Sequence, residues 1–279
     1  MAKFKKTRSV IPGFGLSFGI TSAILALVVI IPLCSLVVFS SKLTLDEFWG
    51  IITRDRVLAS YQVSIITALI ASLINVVMGT VLAWILVRYE FPGKRFIDGL
   101  IELPFALPTA VAGIALTNLT VKNGWIGQYF SIFGIELAYT KIGITIALVF
   151  IGIPFVVRSI QPVLEKFDHE FEEAAFILGS SPSHTFFKVI LPEIKPAIFA
   201  GFSMAFARCI GEYGSVVFIA GNKPYETEIA PLLIMSELQE FDYSAATAIA
   251  LVMLIFAFVI LFINAVIQTK SQKIVSGIA

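Results

Sequence analysis

The polar positions of this 279-residue chain are gathered into short segments that separate long uncharged runs. No Asp, Glu, Lys or Arg occurs in Ser9–Ser41, Val57–Val87, Leu103–Val121, Ile142–Val157 or Tyr243–Thr269. A sixth run, from Pro196 to about Ala220, is apolar but carries Arg208 and Glu212. About 20 apolar residues, each rising ~1.5 Å, cross a hydrocarbon core ~30 Å thick. The pattern therefore predicts an all-α polytopic membrane protein with six transmembrane helices. The shortest run, the 16 residues before Arg158, becomes adequate when Lys141 snorkels outward from the interface.

Composition agrees with the pattern. Hydrophobic residues make up 58% of the chain and charged residues 14%, against roughly 25% charged in a soluble domain. No polar-faced helices are available to cover the apolar runs, which excludes a soluble globular fold. Lys3, Lys5, Lys6 and Arg8 precede the first run. That run is about twice the roughly 7–15 residues of a signal peptide, so it reads as a retained first helix. Thirteen Lys/Arg fall in segments 1–8, 88–99, 158–195 and 270–279, and six in 42–56, 122–141 and 221–242. The positive-inside rule then puts both termini in the cytoplasm. Trp49, Trp84, Trp125, Tyr129 and Tyr139 are expected at the membrane interfaces.

Candidate chemistry is sparse. Cys34 and Cys209 lie in separate predicted spans, which argues against a disulfide or a metal site. A net charge of +1, with no basic and aromatic surface stretch, gives no reason to expect nucleic acid as a partner. The chain has no G-x-x-x-x-G-K-[ST], H-E-x-x-H or G-x-S-x-G sequence, so no catalytic residue, metal ligand or bound cofactor is expected. Membrane lipid is the one partner that composition alone implies. The absence of an internal repeat disfavours a stand-alone secondary transporter, and an intramembrane enzyme lacks its residue sets.

The segment between the fourth and fifth runs carries the most local information. Asp168 is placed to cap a helix, with Glu170, Glu172 and Glu173 in its first turns, where they suit the helix dipole. Phe171, Ala174, Ala175 and Leu178 fall at i, i+3, i+4 and i+7, on one face. Gly179 is placed to end that helix. Ser181-Pro182 restarts another through Phe186, Phe187 and Ile190 toward Leu191-Pro192, and Pro196 is expected to open the fifth span.

The spacing Glu173-Ala174-Ala175, three residues, Gly179, nine residues, then Val189-Ile190-Leu191-Pro192 resembles the EAA loop of type I ABC importer permeases. Valine stands where that pattern usually has isoleucine. The resemblance runs from Tyr61 to Ala265. Leu103-Pro104-Phe105-Ala106-Leu107-Pro108-Thr109-Ala110-Val111-Ala112-Gly113 is similar to the third span of sulfate and molybdate permeases. Phe206-Ala207-Arg208-Cys209-Ile210-Gly211-Glu212-Tyr213-Gly214 is similar to their fifth. The segments 227–233 and 242–248 look more like the T-type sulfate/thiosulfate permease than the molybdate or tungstate one.

The resemblance implies a type I permease fold with a cytoplasmic coupling helix. It divides the chain into 1–56 (N-terminus, first helix and outer loop), 57–269 (five-helix domain, with the EAA loop at about 165–195) and a tail, 270–279. It also implies a second homologous permease subunit, two ATP-binding subunits that use ATP and Mg, and an external sulfate-binding protein. Bacterial inner membranes and plastid inner envelopes both fit. Glu172, Glu173, Ala174, Ala175, Gly179, Leu191 and Pro192 are the expected coupling residues.

For the translocation path, Pro104, Pro108 and Thr109 stand where prolines interrupt the third run. Arg208 and Glu212, at i and i+4 inside the fifth, can meet on one face. Two readings of that pair stay open: a mutual neutralisation that locks the bundle, or an arginine offered to a passing anion. Asn75 is expected to hydrogen-bond a neighbouring helix. Gly79, Gly113 and Gly152 are expected to allow close approach.

Overall fold

A computed structural model describes residues 14–168 and 170–275. Residues Lys3 to Arg8, on which the expected orientation leans, lie outside the described residues. Every regular element among the described residues is helical. They are α1 (Phe14–Ser40), α2 (Leu45–Ile52), α3 (Asp55–Arg88), α4 (Lys94–Ile101), α5 (Leu103–Ala106), α6 (Thr109–Thr120), α7 (Gly127–Ile132), α8 (Lys141–Lys166), α9 (Glu170–Ile177), α10 (Pro182–Ile210), α11 (Val216–Ile219), α12 (Ala230–Gln239) and α13 (Tyr243–Val275).

Five helices are long and apolar enough to cross a membrane: α1, α3, α8, α10 and the Tyr243–Ile263 part of α13. The third predicted span takes a different form. Pro104 sits in the first turn of the four-residue α5, and Pro108 leaves the helical region (φ −55°, ψ 130°) before α6 begins. At 12 residues, α6 is only ~18 Å long, so the sixth crossing is shared between α5, an extended joint and α6. The missing proline N–H groups break the helix here rather than bend it.

Elsewhere proline does not break the helix, and this corrects the expected start of the fifth span. Helix α10 runs unbroken from Pro182 through Pro192 and Pro196. The turn Phe186–Ile190 is widened, with Leu191 N–H donating to Phe186 O five residues back. The same widening at Ala26–Ile30 precedes Pro32 in α1, where Ile31 N–H reaches Ala26 O. In both helices the proline follows two residues after the widened turn, which gives its ring room against the preceding carbonyls.

The core is a three-helix unit of α3, α8 and α10, in contact along their lengths. Small residues let the backbones approach: Ala68, Ala71, Ser72, Gly79 and Ala83 on α3 are buried, with Gly152 on α8 and Gly201 on α10. A Cβ on Gly79 would meet Val156 Cγ1 at 2.8 Å, and one on Gly201 would meet Val156 Cα at 2.8 Å. Without a hydrophobic drive between helices in lipid, this close packing is what holds them. Helix α1 buries no residue in the part described beyond Ser40 and lies along α13.

Ion pairs tie this unit to the shorter helices around it at two levels. At one end, Arg56 makes a bidentate pair with Glu228 (2.8 and 2.7 Å), and Ser64 Oγ accepts the first N–H of α12 from Ala230 at 2.8 Å. At the other end, Arg158 bridges Asp98 and Glu102, each at 2.7 Å, joining α8 to α4 and its C-terminal edge.

Candidate functional site

The loop between α8 and α10 has the local structure that its residues dictate. Asp168 Oδ1 accepts Glu170 N–H at 3.1 Å. Gly179 takes φ +79°, its N–H bonds Phe176 O and Ser180 N–H bonds Ala175 O, both at 2.9 Å. That crossed pair of bonds closes the helix, and a left-handed residue is required for it. Ser181 Oγ then accepts from His184 N–H at 3.4 Å, with Pro182 at the first helical position.

Helix α9 presents apolar side chains outward. Phe176, Ile177 and Leu178 are 76, 83 and 86% exposed, and Phe171 and Phe187 are exposed as well. Glu170, Glu173 and Ala174 share that open surface, while Ala175 is half-buried. Leu191 is half-buried and Pro192 exposed along α10. A cluster of open apolar side chains flanked by carboxylates, beyond the end of the spans, has the character of a protein-docking site.

Glu172 behaves differently from its neighbour. It turns toward the spans and pairs with Arg88 Nη2 at the end of α3. The Arg88 side chain is 6% exposed, with its guanidinium carbon 5.5 Å from the Trp84 ring centroid and 5.8 Å from that of Phe167. Trp84 in turn meets Phe186 edge-on at 5.5 Å. Trp84, one turn from the end of α3, thus lies beneath the loop and is half-buried by it. Trp49, Trp125, Tyr129 and Tyr139 are exposed.

Three of the expected path residues, Thr109, Arg208 and Glu212, meet at a single turn, while Pro104 lies apart in α5. Helix α10 stops at Ile210, and Gly211–Ser215 forms an irregular link to α11. Glu212, 2% exposed, accepts Ser215 N–H at 2.9 Å and Ser215 Oγ–H at 3.1 Å on one oxygen, and Arg208 Nη1 on the other. Its carboxylate therefore satisfies both the link's backbone and the neighbouring cation. Helix α6 packs onto this link: a Cβ on Gly113 would lie 2.4 Å from Ser215 O, and one on Gly214 would lie 2.1 Å from Thr109 Oγ1. Thr109, Arg208 and Glu212 are thus assembled around one piece of non-helical backbone, with Pro108 at the adjoining break. Arg208 is 36% exposed and commits one of its five N–H donors to Glu212.

Two expectations concerning the core have opposite outcomes. Gly79, Gly113 and Gly152 do sit at close approaches. Asn75, by contrast, is fully buried against Gly152 with neither amide atom hydrogen-bonded. Cys34 is exposed and Cys209 buried, both as free thiols, Cys209 Sγ lying 3.3 Å from Leu148 O.

Sequence reasoning did not single out Arg56, Arg88, Asp98, Arg158 or Glu228. Arg56, Arg88, Asp98 and Arg158 stand near the ends of apolar runs, and Glu228 lies in the 227–233 segment; the partners are 60 to 172 residues away. Burial works against ionisation of Asp98, but hydrogen bonds from Arg158 and Gln161, with the charges of Arg158 and Lys94, hold its carboxyl below the ordinary value.

Comparison with known proteins places this geometry. Residues 75–273 match the family described as the inner membrane component of binding-protein-dependent transport systems. The sulfate transport system permease protein CysT of Salmonella typhimurium is 45% identical over 271 residues, covering 97% of this chain and 98% of that one. The protein of the same description from Synechocystis is 45% identical over 254 residues, covering 91% and 89%. The fold matches a bacterial ABC transporter that imports the acidic polysaccharide alginate, with a TM-score of 0.76 at 14% identity, covering 92% of this chain and 96% of that one. A structure of a bacterial alginate ABC transporter in complex with an alginate-bound periplasmic protein gives 0.72 at 18% identity, covering 90% and 92%. On sequence and fold together, the chain belongs to the family of inner membrane permease components of binding-protein-dependent transport systems.

Proposed function

We propose that this chain is the permease subunit that forms one half of the path of an ATP-driven importer for sulfate or thiosulfate. The observation that carries the reading is the α9 surface, where Phe176, Ile177 and Leu178 stand open beside Glu173. Each such side chain gains about 1.5–3 kcal/mol when buried by a partner. The partner is a separate ATP-hydrolysing subunit, which supplies the ATP and Mg chemistry. Glu173, Ala174, Ala175 and Gly179 form the docking element, with Leu191 and Pro192 carrying its movement into α10.

The similarity to permeases described as sulfate transport proteins supports the choice of anion. A second homologous permease subunit completes the path, two ATP-binding subunits drive it, and an external binding protein delivers the anion. The α9 end then faces the cytoplasm together with both termini, in a bacterial inner membrane or a plastid inner envelope. Residues 57–269 make up the transport domain, 1–56 an accessory first helix and outer loop, and 270–279 a cytoplasmic tail.

In the mechanism, ATP binding closes the ATPase pair and draws the α9 helices together, and the path opens outward to receive the anion. Hydrolysis reverses the movement. The link at Gly211–Ser215, with Pro104, Pro108 and Thr109 at the broken third crossing, lines the path. Arg208 offers its uncommitted N–H donors as a transient site. Because Glu212 neutralises the pair, the anion is not held tightly, as conduction requires.

The test is uptake of labelled sulfate into proteoliposomes that contain the full complex and binding protein. Uptake should require ATP and the ATPase subunit, and excess unlabelled thiosulfate should compete more strongly than molybdate. Uptake by this chain alone, or a preference for molybdate, would overturn the reading.

A further inference from the structure

Helix α9 rests on few contacts. Phe176 and Ile177 stand open, Phe171 meets the Phe167 ring at 5.7 Å, and an open groove of about 580 Å³ lined by Trp84, Glu172, Glu173, Phe176, Thr185 and Phe186 lies between the helix and the start of α10. Packed interiors transmit displacement because their atoms are in contact; an open groove does not. Besides the chain that leads into α10, force applied to α9 passes through the groups that cross the groove's margin: the Phe171–Phe167 ring contact and one ion pair.

The charged bridge is the pair of Glu172 with Arg88. Arg88 is suited to carry a load. It is the last residue of α3, a helix of 34 residues without proline, and its guanidinium lies over the rings of Trp84 on α3, at 5.5 Å, and Phe167 at the end of α8, at 5.8 Å. A planar cation beside two aromatic rings and paired with a carboxylate is held in orientation better than an ammonium group would be. Helix α3 is itself seated on α8 and α10 through its small residues, so a pull on Arg88 moves that unit as a body. At its far end, ~50 Å away by helix rise, Arg56 grips Glu228 in the segment ahead of α12.

We infer that Arg88 is a positioning residue that converts movement of α9 into movement of α3, with Glu172 as its link. The adjacent glutamates then divide the work: Glu173 faces the ATPase, and Glu172 faces the permease's own second span. This rests on the docking role proposed for α9 above. It revises the expectation that Glu172 contacts the ATPase.

The experiment uses the complete complex of both permeases, the ATPase subunits and binding protein, reconstituted in proteoliposomes. Anions imported per ATP hydrolysed and co-purification of the ATPase are measured side by side. Glu172→Ala removes the link from a half-exposed position on a surface helix. It should leave co-purification intact and lower anions imported per ATP by about 5-fold or more, the lower end of a typical coupling effect. Glu172→Gln keeps a hydrogen bond to the guanidinium and should fall between Glu172→Ala and the unchanged protein. Arg88→Lys keeps the charge without the planar face and should also couple poorly.

An unchanged ratio in Glu172→Ala with an intact complex overturns the inference. So does loss of co-purification, which would make Glu172 an ATPase anchor. If Arg88→Lys does not assemble, the two Glu172 variants decide the question. If the unmodified chain binds no ATPase, the proposed function fails rather than this link.

Discussion

Replacing Glu212 with alanine tests the centre of the candidate path. The side chain is 2% exposed and gathers three donors: Ser215 N–H, Ser215 Oγ–H and Arg208 Nη1. Alanine leaves the buried Ser215 N–H without an acceptor, a loss of about 1–3 kcal/mol. It also leaves Arg208 without its counter-charge. Breaking a fully buried pair from one side costs about 3–5 kcal/mol, but Arg208 is 36% exposed and solvent relieves part of this. Together the two losses come to about 3–5 kcal/mol. Glu212→Gln keeps one acceptor for Ser215 but turns an amide donor toward Arg208, losing the charge and that hydrogen bond, about 1.5–3 kcal/mol. The double change Glu212→Ala with Arg208→Gln should recover part of the loss, because no unpaired cation remains. The assay is unfolding of the purified protein in mixed micelles by denaturing detergent, for the three variants and the unchanged protein. A Glu212→Ala variant within about 0.5 kcal/mol of the unchanged protein, or a double variant worse than the sum of its parts, would refute the reasoning.

Gly113→Ala should destabilise by about 1–3 kcal/mol and reduce transport, because its Cβ would press on the Ser215 backbone. Gly99→Ala in α4, where nothing lies within 4 Å, should be neutral or stabilising in the same unfolding assay. Glu237 in α12 has its pKa raised, first by burial and then by Asp242 and Glu240, against the pull of Arg54 and Arg56. Being an acid whose proton is bound more tightly in the folded state, it destabilises when ionised, and that penalty fades as pH falls toward the ordinary carboxylate range. Glu237→Gln should therefore raise the thermal midpoint at pH 7–8, with a gain that shrinks on acidification. A gain independent of pH would contradict this. Leu178→Asp, at an 86% exposed position, should leave the permease folded by thermal unfolding and weaken ATPase co-purification.

What the chain declares by itself is what neighbours in sequence can settle. Apolar runs announce the spans, because no other arrangement removes so many uncharged residues from water. The caps at Asp168, Gly179 and Ser181-Pro182 were legible because their hydrogen bonds close within a few residues. Arg208 and Glu212 were legible as a pair for the same reason, being one helical turn apart.

Tertiary structure alone decided the rest. Proline chemistry is the same at Pro104, Pro108, Pro192 and Pro196. The first two break their helix, while α10 continues through the others by widening one turn. The Gly211–Ser215 link is anchored from α6, by Gly113 and Thr109 about a hundred residues earlier. Which of two adjacent glutamates turns inward depends on where the end of α3 lies, 84 residues back in the chain. Local hydrogen bonds and solvation are settled within a turn or two, whereas the partner of a charge is settled only when helices pack, because packing fixes which groups share a low-dielectric space.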